Sequence, residues 1–276
     1  MGLGGHLTWT AVAREISQRA PDVKVLPCKN RSGIFEVVRC EVFKNNPYIL
    51  QDSLADASYF LPMLLDNPAA NYCKKDTPEK AFHNTEFHII EQACQVYGIQ
   101  KPELKCDIFL TEEEVLSVEN SLINIPKEFV TIEPFSKTNY TPNRAYPFDK
   151  FQEVVNKLSK DVAVVQVGNT AAAKLDNAID LRGNTTFREA SGIIGKSKAF
   201  ISCEGGLVHA ATAFQTKSVV MLTGYQSEKM VAYPQNINID ISTHGPCGLK
   251  IKCPTCTEDR NKHDCKEIIR AARSLL

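Results

Sequence analysis

Between residues 129 and 222, short β-branched runs alternate with longer segments of helical spacing, and this alternation admits few folds. Phe129–Glu133 reads as a strand and Phe148–Leu158 as a helix, with Phe148, Phe151, Val154, Val155 and Leu158 on one face. Val162–Val167 is an uninterrupted apolar strand running into Gly168, and Ala178–Leu181 is a shorter one. A helix over Phe187–Ile194, a strand over Ala199–Ser202, a helix over Leu207–Phe214 and a strand over Ser218–Leu222, ended by Gly224, complete the series. Near-continuous apolar strands separated by amphipathic helices belong to a parallel sheet covered on both faces, a doubly wound α/β domain.

The first half is less regular. Leu7–Arg19 reads as a helix closed by Ala20-Pro21, Val23–Leu26 and Tyr48–Leu50 as strands, and Glu86–Tyr97 as a helix capped at Gly98. Cys106–Leu110 reads as a strand and Glu112–Asn120 as a helix. A polar stretch around Pro126 places a domain boundary near Asn124–Lys127, dividing the chain into residues 1–125 and 126–276. A Gly-rich turn at Gly2–Gly5 ordinarily follows a strand. Either the first strand of the N-terminal domain is absent, leaving Val23–Leu26 short of a neighbour, or the start has been clipped or misassigned.

Charge narrows the partner. Lys+Arg and Asp+Glu are both 32, so the basic excess that phosphate neutralisation demands is missing and nothing points directly to nucleic acid. The start has neither a basic nor a long apolar region, and the longest apolar run is too short to span a bilayer. These features predict a cytoplasmic protein with no transmembrane segment. Of the ten cysteines, Cys28, Cys40, Cys73, Cys94, Cys106 and Cys203 are scattered and read as reduced thiols.

Four constellations carry chemistry. Gly2-Leu-Gly4-Gly5-His6 opens the first helix, where free N–H groups attract anions and an imidazole is placed to take a proton from a hydroxyl. The alternative is a flexible glycine-rich terminus with a surface histidine. Glu204-Gly205-Gly206-Leu-Val-His209 stands between a strand and a helix, at the usual ligand edge of such a sheet. Its carboxylate suits sugar or ribose hydroxyls and its glycines suit a diphosphate, against a plain tight turn with His209 as a core histidine. Ser136-Lys137-Thr138, with Arg144 close behind, offers hydroxyls and cations to phosphate oxygens, or is a solvated loop. Cys247, Cys253, Cys256 and Cys265, with His244 and His263 nearby, suit a tetrahedral zinc or iron site, the alternatives being reduced thiols or a disulfide.

The block Glu204-Gly-Gly-Leu-Val-His209-Ala-Ala, followed by Ser218–Leu222 and Gly224, resembles the Asp-Ser-Gly-Leu-x-His block of the heptosyltransferases, glycosyltransferase family 9. Ser136–Thr138, Arg144-Ala-Tyr-Pro with the helix from Phe148, and Leu181-Arg-Gly-Asn-Thr-Thr-Phe-Arg-Glu-Ala are similar to further segments of that family. The likeness covers most of residues 126–276 in order and the first half in patches. It implies a GT-B architecture, two Rossmann-like domains facing across a cleft, with the nucleotide-sugar held mainly by the second. Four positions depart from the family: Gly5, followed by His6, stands in place of the Asp of a Gly-Asp pair, Glu204 replaces Asp, Gly205 replaces Ser, and Arg144 replaces Lys. The Gly-Gly-His loop is similar instead to that of lipid-linked N-acetylglucosamine transferases, whose histidine is a candidate base. Many heptosyltransferase-like chains have a comparable Cys-Pro-x-Cys segment, and some relatives that modify proteins bind iron through it.

The resemblance implies an inverting, metal-independent glycosyltransferase using a nucleotide-diphospho-sugar and a glycan, lipid-linked or protein acceptor. His6 would be its base. Gly4, Gly5, Ser136, Lys137, Thr138, Arg144, Glu204, Gly205, Gly206 and His209 would hold the donor, with no cofactor needed for catalysis beyond a structural zinc or iron. An inactive GT-B binder of nucleotides or glycans and a nucleotide-sugar epimerase are the rival readings.

Overall fold

The structure, a computed structural model, describes residues 2–51, 59–70 and 72–276. In the second half, β6 (Phe129–Glu133), β7 (Ala163–Gln166), β8 (Ile179–Asp180), β9 (Phe200–Cys203), β10 (Ser218–Leu222) and β11 (Ile237–Asp240) form one all-parallel sheet. Its order, β11-β10-β9-β6-β7-β8, is that of a Rossmann sheet. The order reverses between β6 and β9, where Ile132 pairs with Ile201 and Glu133 with Ser202. The chain therefore leaves the sheet in opposite directions after Glu133 and Cys203, opening a crevice at their carboxyl ends.

The helices are α4 (Phe148–Leu158), α5 (Phe187–Lys196), α6 (Gly206–Ala213), α7 (Glu228–Val231), α8 (Pro254–Lys262) and α9 (Lys266–Arg273). Thr186 and Glu189 close a reciprocal capping box that starts α5. One face of the sheet buries Val130, Ile132, Ile201 and Met221 under Phe151 and Leu158 of α4 and Ile268 and Ile269 of α9.

The first half holds α1 (Leu3–Arg19), β1 (Val23–Arg31), β2 (Ile34–Val37), β3 (Tyr59–Leu64), β4 (Cys73–Asp76), β5 (Ala81–His83), α2 (Ile89–Gln95) and α3 (Glu112–Leu122). Here the sequence expectations need correction. β1 is not short of neighbours: it pairs antiparallel with β2 and parallel with β3. The β1–β2 turn uses Ser32 and Gly33, both at positive φ, as a two-residue hairpin requires. Tyr48–Leu50 makes a single bridge, Val25 to Ile49, rather than a strand. The resulting three-stranded mixed sheet is smaller than the Rossmann-like domain expected of this half.

Cys106–Leu110 runs extended but joins no sheet. Its backbone is satisfied by side chains: Cys106 N–H donates to Thr212 Oγ1 (2.9 Å), Asp107 N–H to Thr10 Oγ1 (2.8 Å), and Arg188 donates to Phe109 O. Arg188, 1% exposed, also grips Glu114 with two bonds of 2.7 and 2.8 Å and donates to Glu41 O and Lys44 O. This segment is the seam between the halves. A buried cluster that includes Leu7 and Trp9 of α1 and Val208 and Ala211 of α6 crosses it, so the halves are packed together here rather than separated by a cleft.

That packing depends on a missing side chain. A Cβ on Gly4 would lie 2.8 Å from Gly206 Cα and 3.2 Å from the His209 ring. A Cβ on Gly206 would meet nothing nearer than the Phe187 ring at 3.4 Å. Gly4→Ala is therefore expected to destabilise the fold by about 1–3 kcal/mol through overpacking, while Gly206→Ala stays close to the parent. Urea melts of the two variants check this, and equal effects would contradict the close approach.

Candidate active site

The crevice at β6 and β9 gathers most of the residues singled out by sequence. Glu204 follows β9 directly. Arg144 comes from a 3-10 turn, Pro142–Arg144, that neighbouring segments hold rigidly. Asn143 Nδ2 donates to Leu249 O (2.7 Å) and Ile251 O (2.8 Å), Thr223 Oγ1 donates to Asn143 O (2.6 Å), and Arg260 donates to Pro142 O and Ala145 O. The turn delivers Arg144 Nε to 3.1 Å from Glu204 Oε2, with side-chain exposures of 27% and 10%. Arg144 also donates to Gln226 Oε1 (2.6 Å), and its guanidinium lies 5.1 Å from the centre of the Tyr225 ring.

Burial alone would raise the Glu204 carboxyl. Arg144, with His209 close by, outweighs it and holds the group at about 2. Glu204 is therefore a fixed negative charge at neutral pH. His209 Nε2 lies 3.6 Å from Glu204 Oε1, while its Nδ1 meets Tyr233 OH at 2.7 Å. The tautomer that satisfies both contacts has Tyr233 donating to Nδ1 and Nε2–H facing the carboxylate. Tyr233 OH lies 3.6 Å from Cys106 Sγ, tying this chain of contacts to the seam.

Two helix N-termini converge beside the pair. α1 is capped by Gly2 and α6 by Gly205, and neither has a side chain satisfying its first N–H groups. The near contact of Gly4 with Gly206 brings these two ends together, so their partial positive charges add over one small region. Gly4 and Gly5 are thus the first turn of a helix rather than a loop, because α1 begins four residues before the expected start.

Ser136 Oγ donates to Arg144 O (3.2 Å), at the inner end of the loop after β6, while Lys137 and Thr138 are exposed further out. Glu133, at the last position of β6, has no cation against it among the described residues. Burial pushes its carboxyl to about 8 despite a hydrogen bond from Ser202, so it carries a proton at neutral pH and adds no charge to the crevice. Gly168 makes room for it: at φ +104°, a Cβ there would stand 2.9 Å from Glu133 Oε1.

His6 does not fit the role of base. It sits within the first turn of α1, its ring 5.9 Å from that of Phe43. Both ring nitrogens are enclosed and without a hydrogen-bond partner among the described residues, so no lone pair is presented to an incoming hydroxyl. Burial, and then positive charge including that of Lys29, lowers its pKa.

The cysteine cluster is also rearranged. His244 Nε2 lies 3.8 Å from both Cys253 Sγ and Cys256 Sγ, and the three donor atoms lie within 4.8 Å of one another. Metal–sulfur and metal–nitrogen bonds of about 2.3 and 2.0 Å at a tetrahedral angle imply nitrogen–sulfur edges of about 3.5 Å, so His244, Cys253 and Cys256 fit one ion, with Cys247 packed beside them. Asp259 Oδ2 stands 3.5 Å from His244 Nδ1, the orientation that leaves Nε2 for the metal. Cys265 is excluded: it caps the N-terminus of α9 and packs in the core with Phe151 and Ile268. His244 takes its place.

Sequence reasoning missed Tyr225, Gln226, Tyr233 and His83. Tyr225 and Gln226 follow Gly224 at the carboxyl end of β10, a position that marks a ligand edge. Tyr233 and His83 carry no local signal. Two recesses lie elsewhere: one of about 530 Å³ between α4 and α9, bordered by Lys157, Asp264 and Arg270, and one of about 340 Å³ beside the small sheet, bordered by Val37, Phe43 and Ile49. Neither is lined by a residue of the crevice. Among the described residues, no helix is long and apolar enough to cross a membrane.

Residues 84–259 match the model of glycosyltransferase family 9 (heptosyltransferase). No curated protein matches. Among solved structures, the chain is similar to a family 9 glycosyl transferase from Veillonella parvula DSM 2008, with TM-score 0.65 and 11% identity over 100% of this chain and 94% of that one. It is similar to the ADP-heptose LPS heptosyltransferase II of E. coli, with TM-score 0.65 and 13% identity over 99% and 95%. It is also similar to the iron-containing dodecameric glycosyltransferase TibC of enterotoxigenic E. coli H10407, with TM-score 0.66 and 14% identity over 100% and 76%. At these identities the structural likeness shows the fold alone, and that fold is α/β of the GT-B kind.

Proposed function

Since the chain belongs to glycosyltransferase family 9, we propose that it transfers a glycosyl group, with inversion, from a nucleotide-diphospho-sugar to a hydroxyl of a glycan, lipid-linked or protein acceptor. The observation that carries this reading is the Arg144–Glu204 pair, set at the reversal of the sheet beside two uncapped helix N-termini. In glycosyl transfer, charge develops on the departing diphosphate, and fixed donors aimed at that charge lower the barrier. Arg144, the N–H groups at Gly4, Gly5, Gly205 and Gly206, and the outer Ser136, Lys137 and Thr138 are the groups for that task. Glu204 accepts from sugar or ribose hydroxyls and is held in place by His209.

In this reading residues 126–276 bind the donor and residues 1–125 present the acceptor, in the cytoplasm where nucleotide-sugars are made. An adenosine diphosphate sugar is the first donor to try, because a relative of this fold is named for ADP-heptose. Zinc or iron at Cys247, Cys253, Cys256 and His244 is structural. Cys247, packed beside the other three, serves as the fourth donor and leaves no open position, and transfer runs without a metal at the reacting carbon. The rival readings, a binder without turnover and an epimerase, are not favoured by the family.

A melting titration with ADP, GDP, UDP and CMP tests the reading. A nucleotide at a hundredfold excess over its dissociation constant stabilises the native state by about 2.7 kcal/mol, several degrees for a chain of this size. ADP is expected to raise the midpoint, and Glu204→Ala to lose most of that response. If no nucleotide raises it, the donor reading fails.

A further inference from the structure

The β4–β5 hairpin reaches from the first half across the seam. Ala81 N–H donates to Gly248 O (2.9 Å), and Lys250 N–H donates to Glu79 O (2.7 Å). The Lys250 ammonium also bonds Thr77 O (2.8 Å) and pairs with Asp76. The hairpin ends at His83, whose half-buried ring stands edge-on to Tyr225 with centroids 5.2 Å apart. Arg144 lies over that same Tyr225 ring, so His83 and the Arg144–Glu204 pair share one wall of the crevice. The other ring beside His83 is Tyr72, at 6.0 Å. Among the described residues, the His83 side chain makes no hydrogen bond or ion pair.

We propose that His83, carried by a strap of the acceptor half to the donor edge, is the base that takes the proton of the acceptor hydroxyl. This rests on the donor reading above. As the acceptor oxygen bonds to the anomeric carbon, the bond from that carbon to the diphosphate oxygen breaks and its electron pair leaves with the diphosphate. The proton of the acceptor hydroxyl passes to a lone pair of His83 and later to solvent. The departing charge is met by Arg144 and the paired helix ends.

The electrostatics keep the ring neutral. Burial, and then Arg144, lowers His83 to about 4, against smaller opposing effects of Glu204 and Asp76. The imidazole is therefore neutral, with its lone pair free, at physiological pH. The groups that face it are Arg144, Glu204, Asp76, Tyr72 and Tyr225. A diphosphate arriving on Arg144 offsets the charge that depresses His83, so donor binding itself makes the base stronger.

His83→Phe preserves the ring packing and removes the proton chemistry. Calorimetric titration with ADP, or with whichever of GDP and UDP the melting titration selects, is run at about pH 5 in two buffers of different ionisation enthalpy. The parent is expected to take up part of a proton on binding. His83→Phe is expected to keep its affinity within about threefold and to lose that uptake. With ADP-D-β-D-heptose, release of ADP falls by about 10²–10⁴-fold in the variant, and the acidic limb of the pH profile disappears. Equal proton uptake by parent and variant overturns the assignment, as does equal turnover. If the parent binds no nucleotide, the donor reading falls and takes this one with it. If the parent binds and the variant matches it throughout, only His83 is misassigned.

Discussion

Replacing Arg144 with alanine is expected to lower kcat by about 10²–10³-fold and to cost about 3–5 kcal/mol of stability in the same step. The first effect follows from the site: Arg144 is a cation of the crevice fixed on both sides, by Glu204 at 3.1 Å and Gln226 at 2.6 Å. The second follows from what is left behind, a carboxylate only 10% exposed with its cation gone. The sign with pH is fixed. In the parent, Glu204 is depressed to about 2, so its contribution to stability is present above the ordinary carboxylate range and is lost only as pH falls through that low value. In Arg144→Ala, burial dominates and lifts Glu204 above its ordinary value, so the variant weakens as pH rises. Its deficit is therefore smaller at about pH 5 than at pH 8. The double variant Arg144→Ala with Glu204→Gln removes both charges, and recovers most of the stability at pH 8 while transfer stays low. Guanidinium melts at the two pH values, with turnover measured alongside, decide the matter. A deficit independent of pH, or a double variant no more stable than the single, would show that the pair is not what holds Glu204 ionised.

Loss of the metal is expected to have the second large effect. A protein purified without chelator is expected to carry about one zinc or iron per chain, and removing it to lower the melting midpoint by about 10 °C or more, the size expected for several kcal/mol. The consequence is local to the crevice, because the segment that supplies the ligands also supports the machinery. Tyr225 packs against Cys247, Cys253 and Cys256, Gly248 and Lys250 hold the β4–β5 hairpin, and Asn143 Oδ1 accepts from Cys253 N–H (2.9 Å) beside Arg144. Cys256→Ser is expected to lose the ion and the stability together, and to weaken nucleotide binding through the loosened Arg144 turn. Cys265→Ser is expected to keep the ion, since that thiol sits in the α4–α9 core. Elemental analysis and melting curves of the three proteins check this. A metal content near zero in the parent, or loss of metal in Cys265→Ser, would contradict the arrangement.

The second half was legible in the sequence because its signals are local. α4 and β10 occupy the residues their patterns mark, and Thr186 and Glu189 announce the start of α5. The same locality placed Glu204 and Gly205 at the end of a strand and Arg144 shortly after another. In the first half the signals mislead for a stated reason: Cys106–Leu110 has the composition of a strand, yet Thr10, Arg188 and Thr212, remote in sequence, satisfy its backbone. The exchange of Cys265 for His244 could not be read either, because sulfur spacing along the chain says nothing of which way the residue that caps α9 turns. Cys106 and Tyr233 meet although 127 residues separate them.

The sequence by itself determined the parallel sheet, its ligand edge and the acid and cation of the crevice, since each follows from periodicity or from the residue that ends a strand. Only the tertiary structure decided that Gly4 belongs against Gly206, that His6 is enclosed, and that a hairpin of the other half brings His83 to Tyr225. Those outcomes depend on which surfaces pack across the seam, and packing is fixed by the shapes of distant side chains taken together rather than by any local pattern.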